Sequence, residues 1–143
     1  PKQIIVRCRG VILHEKKMLV VKHSPDFDFH AFPGGKLEYG EDVLECMERE
    51  LIEELGVKPD VGRLLYVRSF INTDGVQSIE FFFEIKNGED YLNTEELARS
   101  HAHEIAEMLW VDKNTDIKIL PEQIVNDFKT DKILSNETRF AKD

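Results

Sequence analysis

Between Asp42 and Leu55 the apolar residues Leu44, Met47, Leu51 and Leu55 recur at intervals of three, four and four. That period marks one face of an α-helix, so any fold open to this chain must cover the stripe with a second layer. Glu41 and Asp42 stand at the start, where acidic side chains favour the helix dipole. Gly56 follows the last turn, where a left-handed glycine commonly closes a helix. Directly upstream lies Phe32-Pro33-Gly34-Gly35, a strong breaker of regular structure.

The flanking segments alternate or run apolar, as strands do. Gln3 to Leu13 reads as a strand, His14 to Lys17 as a polar turn, and Met18 to Lys22 as the return strand of a hairpin. Val61 to Ile71 and Gln77 to Ile85 read as a second pair around the turn Asn72-Thr73-Asp74-Gly75. Phe81, Phe82 and Phe83 in succession predict a strand covered on both faces. Asn87-Gly88 turns again, Thr94 to Arg99 reads as a short helix capped by Thr94, and Glu104 to Val111 as a strand. Pro121 to Lys129 reads as a helix opened by proline, and the polar tail from Asp131 is expected to fray. Strands, one long helix, more strands and a terminal helix predict an α/β sandwich around a mixed sheet. The 143 residues are read as one domain, 1–143, without repeats or linkers.

The net charge of −9 argues against nonspecific binding to nucleic acid or to an anionic membrane. No apolar run is long enough to span a bilayer, and no secretory signal pattern opens the sequence, so the expected location is cytoplasmic. Cys8 and Cys46 form neither a CxxC pair nor metal-type spacing and read as buried reduced thiols. An acidic protein that holds phosphate needs a local source of positive charge: a metal ion, a few Arg and Lys, or a helix N-terminus.

The helix itself suggests one. At about 100° per residue, Glu50, Glu53 and Glu54 fall within an arc of about 100°. Glu54 also lies beside the apolar stripe, next to Met47, where a bare charge is costly. Such a face is commonly plain solvated charge. A divalent cation would nevertheless suit three carboxylates, and hard oxygen ligands select magnesium, calcium or manganese over zinc. Gly34 and Gly35 would let backbone approach a ligand closely. Glu41, eight residues before Arg49, could brace the loop against it.

Taken together, Gly35, five residues, Glu41, seven residues, Arg49-Glu50-Leu51, one residue, Glu53-Glu54, one residue and Gly56-Val57 resemble the Nudix box at every fixed position. Phe32-Pro33-Gly34 resembles its usual lead-in. The resemblance implies the Nudix-type α/β/α sandwich around a mixed β-sheet. It also implies a hydrolase in which water attacks phosphorus in a diphosphate linkage. By the same resemblance Glu50, Glu53 and Glu54 take metal-binding and base positions, and the Gly35 carbonyl is a backbone ligand. Arg49 and Glu41 take supporting roles. The implied cofactor is Mg2+, with Mn2+ as a substitute, because phosphoryl chemistry needs charge neutralisation and alignment. The general base differs among members, with Glu104 and Glu107 as downstream candidates.

Arg7, Arg9, Lys22 and Lys36 are candidate phosphate contacts, and Lys36 is the most suggestive because it sits inside the glycine loop. Phe27 and Phe29 are candidates for stacking a base, against a plain packing role. His101 and His103 flank Ala102 beside Glu104 and read as solvated or near substrate, while Trp110 reads as core. Sequence marks of members that cleave ADP-ribose, dinucleoside polyphosphates, NADH or coenzyme A are missing. The expected substrate is therefore a nucleoside triphosphate, with ADP-ribose or a nucleotide sugar as the alternative. A nucleotide sensor that binds without cleaving is the alternative of another class. No nucleic-acid or membrane partner is expected, and a homodimer rests on base rate alone.

Overall fold

The computed structural model describes residues 2–93, 96–97 and 105–143. Its elements are β1 (Ile4–His14), β2 (Lys17–Lys22), β3 (Gly34–Lys36), α1 (Val43–Leu55), β4 (Val61–Ile71), β5 (Gln77–Ile85), a 3-10 turn (Gly88–Tyr91), β6 (Glu107–Val111), α2 (Glu122–Lys129) and β7 (Arg139–Phe140). The sheet order is β6-β2-β1-β5-β4-β7, with β3 paired to β1. β1 runs parallel to β5 and antiparallel to β2 and β3, so the sheet is mixed, as expected. All of the expected helix at Thr94–Arg99 except residues 96–97, and His101, His103 and Glu104, lie outside the described residues.

Side chains alternate across this sheet and build two cores. Val11, Val20, Tyr66 and Phe82 pack with Ile124 and Phe128 of α2. Ile12, Val21, Phe83 and Ile85 pack with Met47, Leu51 and Leu55 of α1 on the other side. The three consecutive phenylalanines of β5 thus serve both faces. The β1–β2 hairpin closes through Glu15 and Lys16 at φ 45° and 66°, the left-handed pair that a two-residue hairpin turn demands.

Four expectations need correction. Gly34–Lys36 is a short strand on β1 rather than only a breaker: Cys8 pairs with Gly35 and Arg9 with Gly34. Leu44 does not join the buried stripe; it is 52% exposed, while Cys46 is fully buried. Leu44 faces a groove shared with Ile52 and Pro59, so the helical period identified the right face but not how far the covering layer extends. Pro121 is the N-cap of α2 rather than its first residue. The tail does not fray as a whole. Ile133 and Ala141 are buried, and β7 adds to β4 in parallel.

The tail is held by a polar knot. Asp127 accepts from the Tyr66 hydroxyl at 2.6 Å and from Arg139 at 3.0 Å, and the Arg139 guanidinium lies 4.2 Å from the Tyr66 ring centre. Tyr66→Phe is expected to lower stability by about 2 kcal/mol, the net worth of a hydrogen bond to a charged acceptor. Urea unfolding midpoints would measure it, and an unchanged midpoint would mean the hydroxyl contributes nothing.

Candidate functional site

Asp42 caps α1, accepting from the N–H groups of Leu44 and Glu45, and Glu45 reaches back to the Asp42 N–H, which completes a capping box. Gly56 ends the helix at φ 73°. Thus Glu41 lies outside the helix, and its carboxylate is free to turn toward Arg49. That contact is two-pronged, at 2.7 and 3.0 Å. The same guanidinium donates to Glu50 at 2.9 Å, to Glu53 at 3.2 Å and to the Lys36 carbonyl at 2.9 Å. Arg49 therefore ties the loop end of the motif to the helix carboxylates, the brace suggested by the spacing.

Arg49 holds the Glu41 carboxyl down at about 2, from an ordinary 4.5. Because the folded value lies below the unfolded one, this pair's contribution to stability is whole above the ordinary range and disappears as pH falls through about 2. A carbon-13 titration is expected to place the Glu41 midpoint near 2 and to return it to the ordinary range in Arg49→Met. An ordinary midpoint in the unaltered protein would break the pairing. Glu50 moves the other way. Burial raises its carboxyl, and Glu54 and Glu53 add to the rise against the opposing pull of Arg49.

Glu54 is buried in the middle of the helix face that meets the sheet. It accepts from the Gly34 N–H at 2.7 Å and from His23 Nε2 at 2.9 Å. Gly34 has φ 143°, and a Cβ there would stand 1.9 Å from the Cys8 carbonyl oxygen. A Cβ on Gly35 would stand 2.5 Å from the Glu50 carboxyl carbon. Two glycines are therefore required for the loop to lie against β1 on one side and the glutamate helix on the other. The Gly35 carbonyl lies 3.8 Å from Cys46 Sγ.

Beside this loop opens a cavity of about 480 Å³, lined by Gly34, Gly35, His23 and the sheet face that carries Arg7, Arg9, Arg68 and Glu80. Phe27 and Phe29, expected either to stack a base or to pack locally, stack on each other at 5.1 Å and both line the cavity. Arg7 and Lys36 are direct cross-strand partners and also line it. Burial and the neighbouring Arg9 lower the Arg7 pKa. Lys22 and Glu107 are not among the lining residues; Glu107 lies on β6, 3.3 Å from His30. Trp110 is partly buried against the α1 core, its indole N–H donating to the Tyr91 carbonyl at 3.3 Å.

Glu80, Arg68 and His23 were not singled out in the sequence. Glu80 accepts from Arg9 at 2.9 Å and from Arg68 at 3.0 Å. Burial alone would raise its carboxyl, but the two guanidiniums outweigh it and hold it below the usual range. Arg9 also donates to the Gly34 carbonyl at 3.1 Å, so the cavity floor grips the glycine loop. Ser78 and Glu80 alternate with Ile79 and Phe81 in a strand covered on both faces, a visible signal of a built polar patch. His23 carried no such signal, since one histidine after a strand is ordinary.

The sequence matches the family model described as NUDIX domain over residues 5–123. It is 39% identical over 85 residues to the ADP-ribose pyrophosphatase of Methanocaldococcus jannaschii, a match covering 56% of this chain and 50% of that protein. The chain thus spans about half the length of that curated relative. The structure is similar to a MutT NUDIX hydrolase from Burkholderia pseudomallei, with TM-score 0.67, 18% identity and coverage of 95% and 100% of the two chains. It is also similar to an ADP-ribose pyrophosphatase from Streptococcus suis, with TM-score 0.63, 19% identity and coverage of 95% and 98%. The chain belongs to the Nudix family. That family acts on pyrophosphate bonds and generally uses divalent metal cations.

The donor set here fits such a cation by its chemistry: hard carboxylate oxygens on one helix face, against a loop whose Gly35 leaves the Glu50 carboxyl its space. Each carboxylate is at present turned onto a protein donor, Glu50 and Glu53 onto Arg49 and Glu54 onto His23 and Gly34. Among the described residues no three acidic, imidazole or thiol groups gather about one point. No helix among them is long and apolar enough to cross a membrane.

Proposed function

We propose that this protein is a magnesium-dependent pyrophosphohydrolase whose preferred substrate is a nucleoside triphosphate. The observation that carries the reading is the cavity beside Gly34 and Gly35, lined by Arg7, Arg9, Lys36 and Arg68 and, among the described residues, by one carboxylate, Glu80, within a chain of net charge −9. Such a floor suits a polyanion, and Phe27 and Phe29 offer aromatic surface for a base. Glu50, Glu53, Glu54 and the Gly35 carbonyl are the groups that would hold magnesium, with manganese as a substitute. The bound ion supplies charge neutralisation and alignment of the diphosphate. Arg49 and Glu41 orient the carboxylates. We assign the proton transfer from the attacking water to Glu53, whose side chain is 48% exposed and lines the neighbouring groove with Arg49 and Ile52 rather than the cavity itself.

A second reading, ADP-ribose or another nucleotide sugar as substrate, is favoured by the 39% identical relative named as an ADP-ribose pyrophosphatase. The test is phosphate release, coupled to a phosphatase, from common and oxidised nucleoside triphosphates, ADP-ribose, nucleotide sugars, diadenosine polyphosphates and NADH, each with magnesium and with EDTA. EDTA-sensitive cleavage of triphosphates supports the first reading, and preferential cleavage of ADP-ribose or a nucleotide sugar supports the second. Tight binding without any cleavage would make the protein a sensor.

A further inference from the structure

Glu54 poses a problem that the sequence raises and does not solve: a carboxylate in the apolar face of a helix, 3% exposed and cut off from water. We propose that His23 is a positioning residue for Glu54, fixing its carboxylate in the orientation from which it binds a divalent cation. The proposal rests on the preceding reading, in which Glu54 belongs to the cation-binding set.

The geometry is specific. Gly34 N–H donates to Oε2 at 2.7 Å and His23 Nε2 lies 2.9 Å from Oε1, one donor for each oxygen. The donors come from different parts of the fold, Gly34 from β3 and His23 from the residue just after β2, so together they set the plane of the carboxylate. Each oxygen carries two acceptor sites, so one remains on each after these bonds form. Since a carboxylate only accepts, the contact requires the His23 proton on Nε2. The backbone around His23 is itself tied down. Ala106 N–H donates to the Lys22 carbonyl at 2.8 Å, and Val21 exchanges bonds with Ala31 at 2.7 and 2.8 Å. Without the imidazole, Glu54 keeps one donor, and its terminal torsion, which has only a broad preference of its own, is free to turn. Partners of this kind behind a metal ligand are worth roughly 10–100-fold in metal affinity.

His23 also lines the cavity, so it could instead touch the substrate directly. Manganese binding to the substrate-free protein, followed by electron paramagnetic resonance, separates the two. Glu54→Gln and His23→Ala are each expected to weaken manganese binding by at least about tenfold. His23→Gln, whose amide N–H has a similar reach, should recover most of that loss. The double variant His23→Ala/Glu54→Gln should bind no worse than Glu54→Gln alone, because the histidine acts through the glutamate. The nucleotide KM at saturating metal should stay unchanged in His23→Ala. If that variant fails to fold, His23→Asn, too short to reach Glu54, takes its place. Unaltered manganese affinity in His23→Ala beside a weakened Glu54→Gln overturns the role of His23 alone. A raised nucleotide KM with unaltered manganese affinity makes it a substrate contact and overturns it too. Normal manganese binding in Glu54→Gln overturns the reading on which the proposal stands.

Discussion

Glu53→Gln is expected to lower turnover at least roughly a hundredfold while leaving the fold intact, the scale of losing an electrostatic or acid–base group. The substitution keeps shape and removes charge. Glu53 makes its one strong contact with Arg49 at 3.2 Å, and Arg49 retains Glu41 and Glu50 when it is lost. A side chain 48% exposed has little packing to lose. The melting temperature should therefore move by only a degree or two, and the loss should appear in kcat at saturating magnesium and substrate. Glu54→Gln is expected to show a similar loss of rate with a larger loss of stability, because Glu54 is buried and doubly hydrogen-bonded. Near-normal rates in both variants would place the chemistry away from this helix.

The largest effect on stability is expected from Gly34→Ala, on the order of 4 kcal/mol, which places it among the exceptional point substitutions. Two independent causes act together. The φ of 143° is one that side chains rarely adopt, and the new Cβ would meet backbone: the Cys8 carbonyl oxygen at 1.9 Å and Arg9 Cα at 2.9 Å. Backbone of a central strand cannot swing aside as a flexible side chain can. Any shift of Gly34 also disturbs the N–H given to Glu54 and the carbonyl held by Arg9. Gly40→Ala is the control. Its φ of 92° is also strained, but the space around it is open, so a cost of roughly 1 kcal/mol is expected. Equal unfolding free energies for the two variants would show that the close approach of the loop to β1 is not what requires glycine at position 34.

Much of the site was legible because it is local. The glutamate spacing, the acidic helix start at Asp42, the glycine pair and the Arg49–Glu41 separation lie within 23 residues, Gly34 to Gly56, and a helix converts spacing into direction. The hairpins were legible for the same reason: a period of two and a turn signal act over a few residues. Leu44 marks the limit of this logic. Its place in the helical period is correct, yet whether it is buried depends on what the sheet places opposite it. The tail marks another, since its polar composition hides Ile133, Ala141 and an arginine that finds Asp127.

The sequence by itself determined the two long hairpins, α1, the family motif and the carboxylates that carry it, since each depends on residues close enough along the chain for backbone geometry to relate them. Only the tertiary structure decided what stands behind those carboxylates. His23 meets Glu54 across 31 residues, and Arg9 meets Glu80 across 71. Those pairings follow from which strands lie side by side, β1 between β2 and β5, an order set by the burial of two apolar faces at once and not written in any local period.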